Sequence, residues 1–289
     1  MQVGVIGLGI MGGAMVSNLL RSGHDVTGYD IDPEKTKALT DTGMTAAEDP
    51  QDVAIHTDVV VFSLPTPGAL HEVSSAVADG GRSGLVCVET GTLPLDDKQR
   101  ARELLATVGI DLLDAPLSGT GLQAREATLV VLASGSRDAF ETASPVFDSI
   151  GRSTHYLGEF GNGSRMKFIA NLLVAVHNLA TAEAHVLGIA AGLDPDLVQR
   201  VTEDGVGSSK IFEIRGPMMV ANDYPPAARL DIILKDATMI EEYARSLGAP
   251  TPLLHAALQV YQEASAAGLG DLDAAALCRH LERRAGLAR

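Results

Sequence analysis

Short apolar runs alternate with amphipathic stretches through the first half of the chain. Val3–Ile6, Asp25–Asp30, Asp58–Leu64, Leu85–Glu89 and Asp111–Leu117 have the length and composition of buried strands. Helical spacing fills the gaps, at Gly12–Arg21, Pro33–Thr42, Gly68–Ala78 and Asp96–Val108. Strand and helix in alternation predict βαβ units and a parallel, doubly wound sheet. Leu129–Ala133 is a further apolar run, too close behind Leu117 for a parallel crossover, which takes a dozen or more residues. It is therefore expected to run antiparallel to its neighbour. A helix at Arg137–Ser149 and a strand at Thr154–Leu157 close this part of the chain.

From Gly163 onward the strand pattern stops. Met166, Ile169, Leu173, Val176, Ala180, Ala184 and Leu187 recur at the spacing of one long helix over Ser164–Ala191. Four shorter helices are expected after it, punctuated by Gly192-Leu-Asp-Pro, Asn222–Pro226, Gly248-Ala-Pro and Gly268-Leu-Gly-Asp. The expected fold is α/β: a Rossmann-type, mostly parallel sheet over residues 1–161, then a long connecting helix and a smaller all-helical domain over 162–289.

Chemistry enters at the first turn. Gly7-Leu8-Gly9-Ile10-Met11-Gly12 fits G-x-G-x-x-G, directly after a strand and opening a helix, the context a dinucleotide-binding loop requires. Gly7 permits the turn, Gly9 lets the backbone approach a pyrophosphate, and Gly12 lets helix and strand pack closely. Free N–H groups expected at Gly12–Ala14 and the positive helix end would face the phosphates. About 20 residues on, Asp30 ends the second strand, where a carboxylate accepts from the adenosine ribose hydroxyls and repels a 2′-phosphate. Ile31 stands where an NADP site would more often place arginine. NAD is expected, with NADP less favoured.

Composition narrows the partners. A net charge of −15 argues against nucleic acid, which needs a basic surface. No apolar run is expected to reach the roughly 18 residues a membrane crossing takes, and no signal peptide is recognisable at the N-terminus. The two cysteines, Cys87 and Cys278, form no CxxC pair, so a cytoplasmic location is expected. The eight histidines show no metal-ligand spacing, and no metal is expected. His177 and His185 on the long helix suit packing or an interface.

Four motifs together resemble the β-hydroxyacid dehydrogenase family, that of 3-hydroxyisobutyrate dehydrogenase, over essentially the whole chain. They are Gly7–Met15 in the form G-x-G-x-M-G-x-x-M; Asp114-Ala-Pro-Leu-Ser118-Gly119; Gly158-x-x-Gly-x-Gly163 leading to Lys167-x-x-x-Asn171; and Lys235-Asp236. The resemblance implies that Lys167 is the general acid/base. It also implies that Ser118, Gly119 and Thr120 form the substrate-recognition loop and that Leu64, Pro65 and Thr92 line the cofactor. Lys235 would reach toward both nicotinamide and substrate, with Asp236 orienting it or capping locally. Lys167 and Asn171 stand i, i+4 on one helix and so share a face. Asn171 would bond substrate and steady the lysine. A free lysine, with a pKa of about 10.4, is a poor base at neutral pH; burial beside a cationic ring would lower it.

The implied activity is NAD-dependent interconversion of a small 3-hydroxy acid and its semialdehyde or keto form, the partner being a small carboxylate. An imine reductase on the same scaffold, an NADPH-dependent tartronate semialdehyde or 4-hydroxybutyrate-type reductase, and a cofactor-binding interaction module are the alternatives. Lys167 counts against the first and the last. The long apolar helix predicts a homodimer or homotetramer through the helical domain. The chain departs from the family pattern at Thr120 and Ala127, where glycines are usual, at Ala170 in place of the first of two asparagines, and at Pro94, one position early.

Overall fold

The computed structural model describes residues 1–287. By its internal contacts the chain divides into two units, 1–167 and a second beginning at Phe168, so the division falls inside the long helix rather than ahead of it.

In the first unit, strands β1 (Gln2–Ile6), β2 (Asp25–Tyr29), β3 (Thr45–Ala46), β4 (Val59–Phe62), β5 (Val86–Glu89) and β6 (Asp111–Asp114) form one parallel sheet. Their order is β3-β2-β1-β4-β5-β6. That is the doubly wound arrangement, with its topological switch beside β1 and a ligand crevice expected at the strands' carboxyl ends. Helices α1 (Ile10–Arg21), α2 (Pro33–Thr40), α3 (Pro50–Ile55), α4 (Pro67–Gly80) and α5 (Leu95–Ala106) connect the strands. Because both faces are covered, the strands are apolar on both sides. Val3, Val5, Val59 and Val61 join one buried cluster, while Val60, Phe62, Cys87 and Leu112 join another.

The expected strand Asp111–Leu117 is two strands. β6 stops at Asp114, and after Ala115-Pro116 the chain turns into β7 (Leu117–Ser118), which belongs to a second, three-stranded sheet. There β7 pairs antiparallel with β8 (Leu129–Ala133), the expected direction, and β8 pairs parallel with β9 (Gly151–Tyr156). Helix α6 (Gly121–Arg125) joins β7 to β8, and α7 (Arg137–Ile150) joins β8 to β9. A bridge between Asp114 and Ser134 ties the two sheets together.

Helix α8 (Asn162–Ala190) begins in the first unit and runs through the second. Its buried side in the second unit is Phe168, Ala175, Leu179 and Ala182. The stripe picked out by periodicity is a different one: Met166, Ile169, Leu173 and Leu187 are exposed. An 18-residue stretch of α8 with mean hydropathy 1.4 is long and apolar enough to span a bilayer by length and composition alone, which corrects the expectation of no such segment. Its buried polar groups are nevertheless bonded inside the unit. Asn178 donates to the Tyr261 hydroxyl at 2.8 Å and to the Ala274 carbonyl at 2.9 Å, and His185 lies 3.0 Å from Gln199 Oε1 and stacks on Phe212. These are the ties of a protein core helix.

Five α-helices follow among the described residues, not four: α9 (Pro195–Glu203), α10 (Lys210–Ala221), α11 (Leu230–Ser246), α12 (Pro252–Ala264) and α13 (Leu277–Arg284). The unexpected break lies between α9 and α10, where Ser209 caps α10 by accepting from the Phe212 N–H at 3.1 Å.

Candidate active site

The glycine loop has the geometry its sequence implies. Gly7 sits at φ +92°, and a Cβ added at Gly12 would lie 1.8 Å from the Gly7 carbonyl oxygen, so only glycine lets α1 start this close to β1. At Gly9 an added Cβ meets nothing within 4 Å, leaving open space over the loop. Helices α2, α3, α4 and α7 are capped by the side chains of Asp32, Asp49, Thr66 and Ser136, whereas α1 opens on Gly9 with no side-chain cap and no acidic residue in its first turn. Gly13 N–H already bonds Gly9 O, so the groups left to an anion are those of Ile10–Gly12, not Gly12–Ala14. An uncapped helix end over open space fits a pyrophosphate.

Asp30 is buried at the end of β2. One carboxylate oxygen accepts from Leu8 N–H at 2.7 Å, and the other from Asp32 N–H at 2.9 Å. Lys35 Nζ stands 3.4 Å from the second oxygen. The acid thus braces the glycine loop as well as standing at its edge, and a cation the sequence reading passed over partly offsets its charge. Ile31 beside it is exposed. Leu64 and Pro65 follow β4, and Thr92 follows β5, so these too collect at the carboxyl edge of the sheet.

Ser118 ends β7, paired with Val130. Gly119 follows at φ +144°, and Thr120 caps α6. Thr120 shares a capping box with Gln123: Gln123 Oε1 accepts from the Thr120 N–H at 2.8 Å and from its hydroxyl at 2.5 Å. The threonine in place of the usual glycine therefore has its hydroxyl committed to the helix cap.

Lys167 lies on α8 and is nine-tenths buried. One turn before it, Ser164 is held at the end of β6: Asp114 accepts from the Ser164 N–H at 2.7 Å and from its hydroxyl at 2.7 Å. One turn after it, Asn171 donates from its side-chain amide to Asp236 at 2.9 Å. Lys235 Nζ is 3.2 Å from the other Asp236 oxygen. Asp236 thus stands beside Lys235, as the motif suggested, and also holds Asn171, a link the separate motifs did not predict.

A second group was missed altogether. Lys98 on α5 is fully buried, with its ammonium 2.5 Å from Glu89 Oε2 and 2.8 Å from Asp114 Oδ1, and it donates to the Gly91 carbonyl at 2.8 Å. Burial works against its charge, yet Asp114 and Glu89 together hold its pKa above the ordinary lysine range. Burial pushes the Glu89 carboxyl upward, opposed by Lys98. The available signal was position: Lys98 stands on the buried stripe of α5 with Ala101 and Leu105, where a charge requires partners.

Comparison with known proteins identifies the family. Residues 2–158 match the NAD-binding domain of 6-phosphogluconate dehydrogenase, and residues 161–281 match the NAD-binding domain of NADP-dependent 3-hydroxyisobutyrate dehydrogenase. The chain is 34% identical to an L-threonate dehydrogenase from Cupriavidus necator, covering 96% of this chain and 95% of the relative. It is 30% identical to a 2-(hydroxymethyl)glutarate dehydrogenase from Eubacterium barkeri, covering 99% and 96%. Among solved structures, a 3-hydroxyisobutyrate dehydrogenase from Salmonella typhimurium superposes with TM-score 0.88 at 32% identity, over 96% of this chain and 99% of that one. The chain belongs to the β-hydroxyacid dehydrogenase family and is a nicotinamide-dependent oxidoreductase acting on CH–OH groups.

Proposed function

We propose that the chain oxidises a small 3-hydroxy acid with NAD, Lys167 taking the hydroxyl proton. The observation that carries this reading is the setting of Lys167: buried, on a helix whose preceding turn is tied to β6 and whose following turn presents an asparagine held by a carboxylate. The Gly7–Gly12 loop would hold the pyrophosphate, Asp30 the ribose, and Leu64, Pro65 and Thr92 would line the nicotinamide half. Bound oxidised nicotinamide supplies the hydride acceptor. Lys167 Nζ removes the alcohol proton as the hydride leaves, and in the reverse direction returns it to the forming alkoxide. Asn171, its amide fixed by Asp236, bonds the substrate oxygen. The Ser118 hydroxyl and the Gly119 backbone N–H would grip the substrate carboxylate, and Lys235, by the family resemblance, would reach toward the substrate with a positive charge.

NAD is preferred to NADP on the strength of Asp30, whose carboxylate repels a 2′-phosphate. The relatives named above act on L-threonate, 2-(hydroxymethyl)glutarate and 3-hydroxyisobutyrate by their names; the substrate proposed here is of that class, a short acid with a hydroxyl at the 3-carbon. We place the enzyme in the cytoplasm, in keeping with two buried free cysteines. We assign it as a homodimer or homotetramer through the helical domain, since Ile169, Leu173, Leu187, Leu197 and Val201 are all exposed there.

The test is a substrate panel with NAD and NADP (L-threonate, 3-hydroxyisobutyrate, glycerate, serine and 4-hydroxybutyrate), run beside Lys167→Ala. Turnover lost in the variant with NAD binding within about twofold of the parent is expected. Retained turnover in that variant would refute the role of Lys167.

A further inference from the structure

Lys98 lies in the first unit with no place in the chemistry above, yet it is fully buried between two carboxylates. Burying three charged groups is costly unless each is paired and fully hydrogen-bonded. Every contact of this cluster leads to a segment that serves the site. Glu89 ends β5 and accepts from the Gly91 N–H at 2.7 Å, while Lys98 donates to the Gly91 carbonyl; Thr92 is the next residue. Asp114 ends β6, and beyond its contact with Lys98 it accepts from both the N–H and the hydroxyl of Ser164. Ser134 completes the junction by donating to Asp114 and accepting from the Gly163 N–H at 2.9 Å. Gly163 is pressed against this junction, since an added Cβ would lie 2.3 Å from the Leu132 carbonyl oxygen and 2.6 Å from that of Asp114.

We propose that Lys98 is a positioning residue for the reaction. Its ammonium cross-braces the loop after β5, which carries Thr92, to Asp114 and thereby fixes the first turn of α8, which carries Lys167. Two carboxylates at adjacent strand ends repel each other, and one buried cation between them sets their separation. Asp114 is thereby oriented with one oxygen toward the Ser164 N–H and the other toward its hydroxyl and Lys98. A helix start pinned by two bonds to one carboxylate cannot slide or rotate without breaking both. Lys167 is three residues further on, less than one turn, so a shift at Ser164 is passed to its Cα almost unreduced. The proposal rests on the role of Lys167 given above.

The test uses two variants of the full chain, with Lys167→Ala as control. Glu89→Gln combined with Lys98→Met removes one charge of each sign, so the buried cluster keeps its net charge. Ser164→Ala cuts only the hydroxyl link from Asp114 to α8 and is the variant that decides if the double one fails to fold. We expect kcat to fall at least tenfold in the double variant and about threefold in Ser164→Ala. The acidic limb of the kcat–pH profile for oxidation, along which the base must lose its proton, should shift by half a unit or more, and the NAD dissociation constant should stay within about threefold. In the cofactor-free protein, amide hydrogen exchange at Gly163–Lys167 should rise at least tenfold while that of β4 is unchanged. A kcat and a pH limb unchanged in both variants, with Lys167→Ala inactive, would overturn the positioning role alone. Activity retained in Lys167→Ala would overturn the reading on which it stands.

Discussion

Asn171 and Asp236, on α8 and α11, are joined by a 2.9 Å hydrogen bond in which the asparagine donates and the carboxylate accepts. The bond fixes how the Asn171 amide is turned. With one Nδ2 hydrogen given to Asp236, the second is left to donate to the substrate oxygen whose proton goes to Lys167. Asp236 is buried and also faces Lys235, so one carboxylate sets the orientation of an amide and an ammonium together. Asp236→Ala is expected to lower kcat/KM by about ten- to a hundredfold, the range for a lost hydrogen bond to a charged group of roughly 1.5–3 kcal/mol. Asn171→Ala in the Asp236→Ala background should then add little, because the two act as a unit. Steady-state kinetics of the two single variants and the double variant check this, and fully multiplicative losses would contradict it.

Cofactor preference turns on two opposite charges beside the glycine loop. Asp30 disfavours a 2′-phosphate, and Lys35, 3.4 Å away, softens that effect. Asp30→Ala is expected to weaken NAD binding about tenfold, partly because Leu8 N–H loses its 2.7 Å acceptor, and to narrow the gap to NADP. Lys35→Ala should widen the gap, because the acid is left unopposed. Dissociation constants for both cofactors, measured calorimetrically, decide the matter. A wild type that already prefers NADPH would show that the carboxylate is spent on the loop rather than on the ribose.

Ala127 occupies the left-handed region at φ +54°, as the residue after the C-cap of α6. Thr128 N–H bonds Gln123 O, and Ala127 N–H bonds Ala124 O, the paired closure of a Schellman motif. Glycine is the usual residue there because a Cβ in this conformation costs on the order of 1–2 kcal/mol. Ala127→Gly returns part of that strain while loosening the unfolded chain by about 0.4–1 kcal/mol. A net gain of roughly 0.5–1 kcal/mol is expected, seen as a rise of about 1–3 °C in the thermal midpoint of the first unit. A fall in the midpoint would show that the turn is not strained.

The parts of the fold that could be read in advance are those where burial acts on a whole run of residues. β1, β4 and β5 are apolar at nearly every position because the sheet is covered on both faces, and the glycine loop carries its conformation in its composition. β3 and α3 escaped notice because two and six residues give too little periodicity, although Asp49-Pro50 is a helix-start signal. The passage from one sheet to another falls inside what reads as a single apolar run, where Pro116, which cannot donate to a ladder, was the signal of the break. On α8 both faces are apolar, so spacing could not distinguish the buried stripe of Phe168, Ala175 and Leu179 from the exposed one. Within the site, Lys167 and Asn171 were legible as neighbours because helical spacing is local. The contacts of Asp236 with Asn171 and of Lys98 with Glu89 and Asp114 join distant segments, and no local pattern encodes them.

Tyr261 ties stability to pH in the second unit. The residue is fully buried on α12 and accepts from Asn178 at 2.8 Å, and burial pushes its phenol up to about 12 from an ordinary 10. Between those values the folded protein keeps the proton and the unfolded chain releases it, so stability is complete below pH 10 and falls as pH rises toward 12. Two units correspond to roughly 2–3 kcal/mol over that window. Tyr261→Phe is expected to cost about 1 kcal/mol at pH 8, since Asn178 still donates to the Ala274 carbonyl, but to lose less of its remaining stability on going to pH 11. Urea midpoints for both proteins at pH 8, 9.5 and 11 give the comparison. Parallel losses in the two proteins would mean that lysines and other groups, not this phenol, govern the alkaline limb.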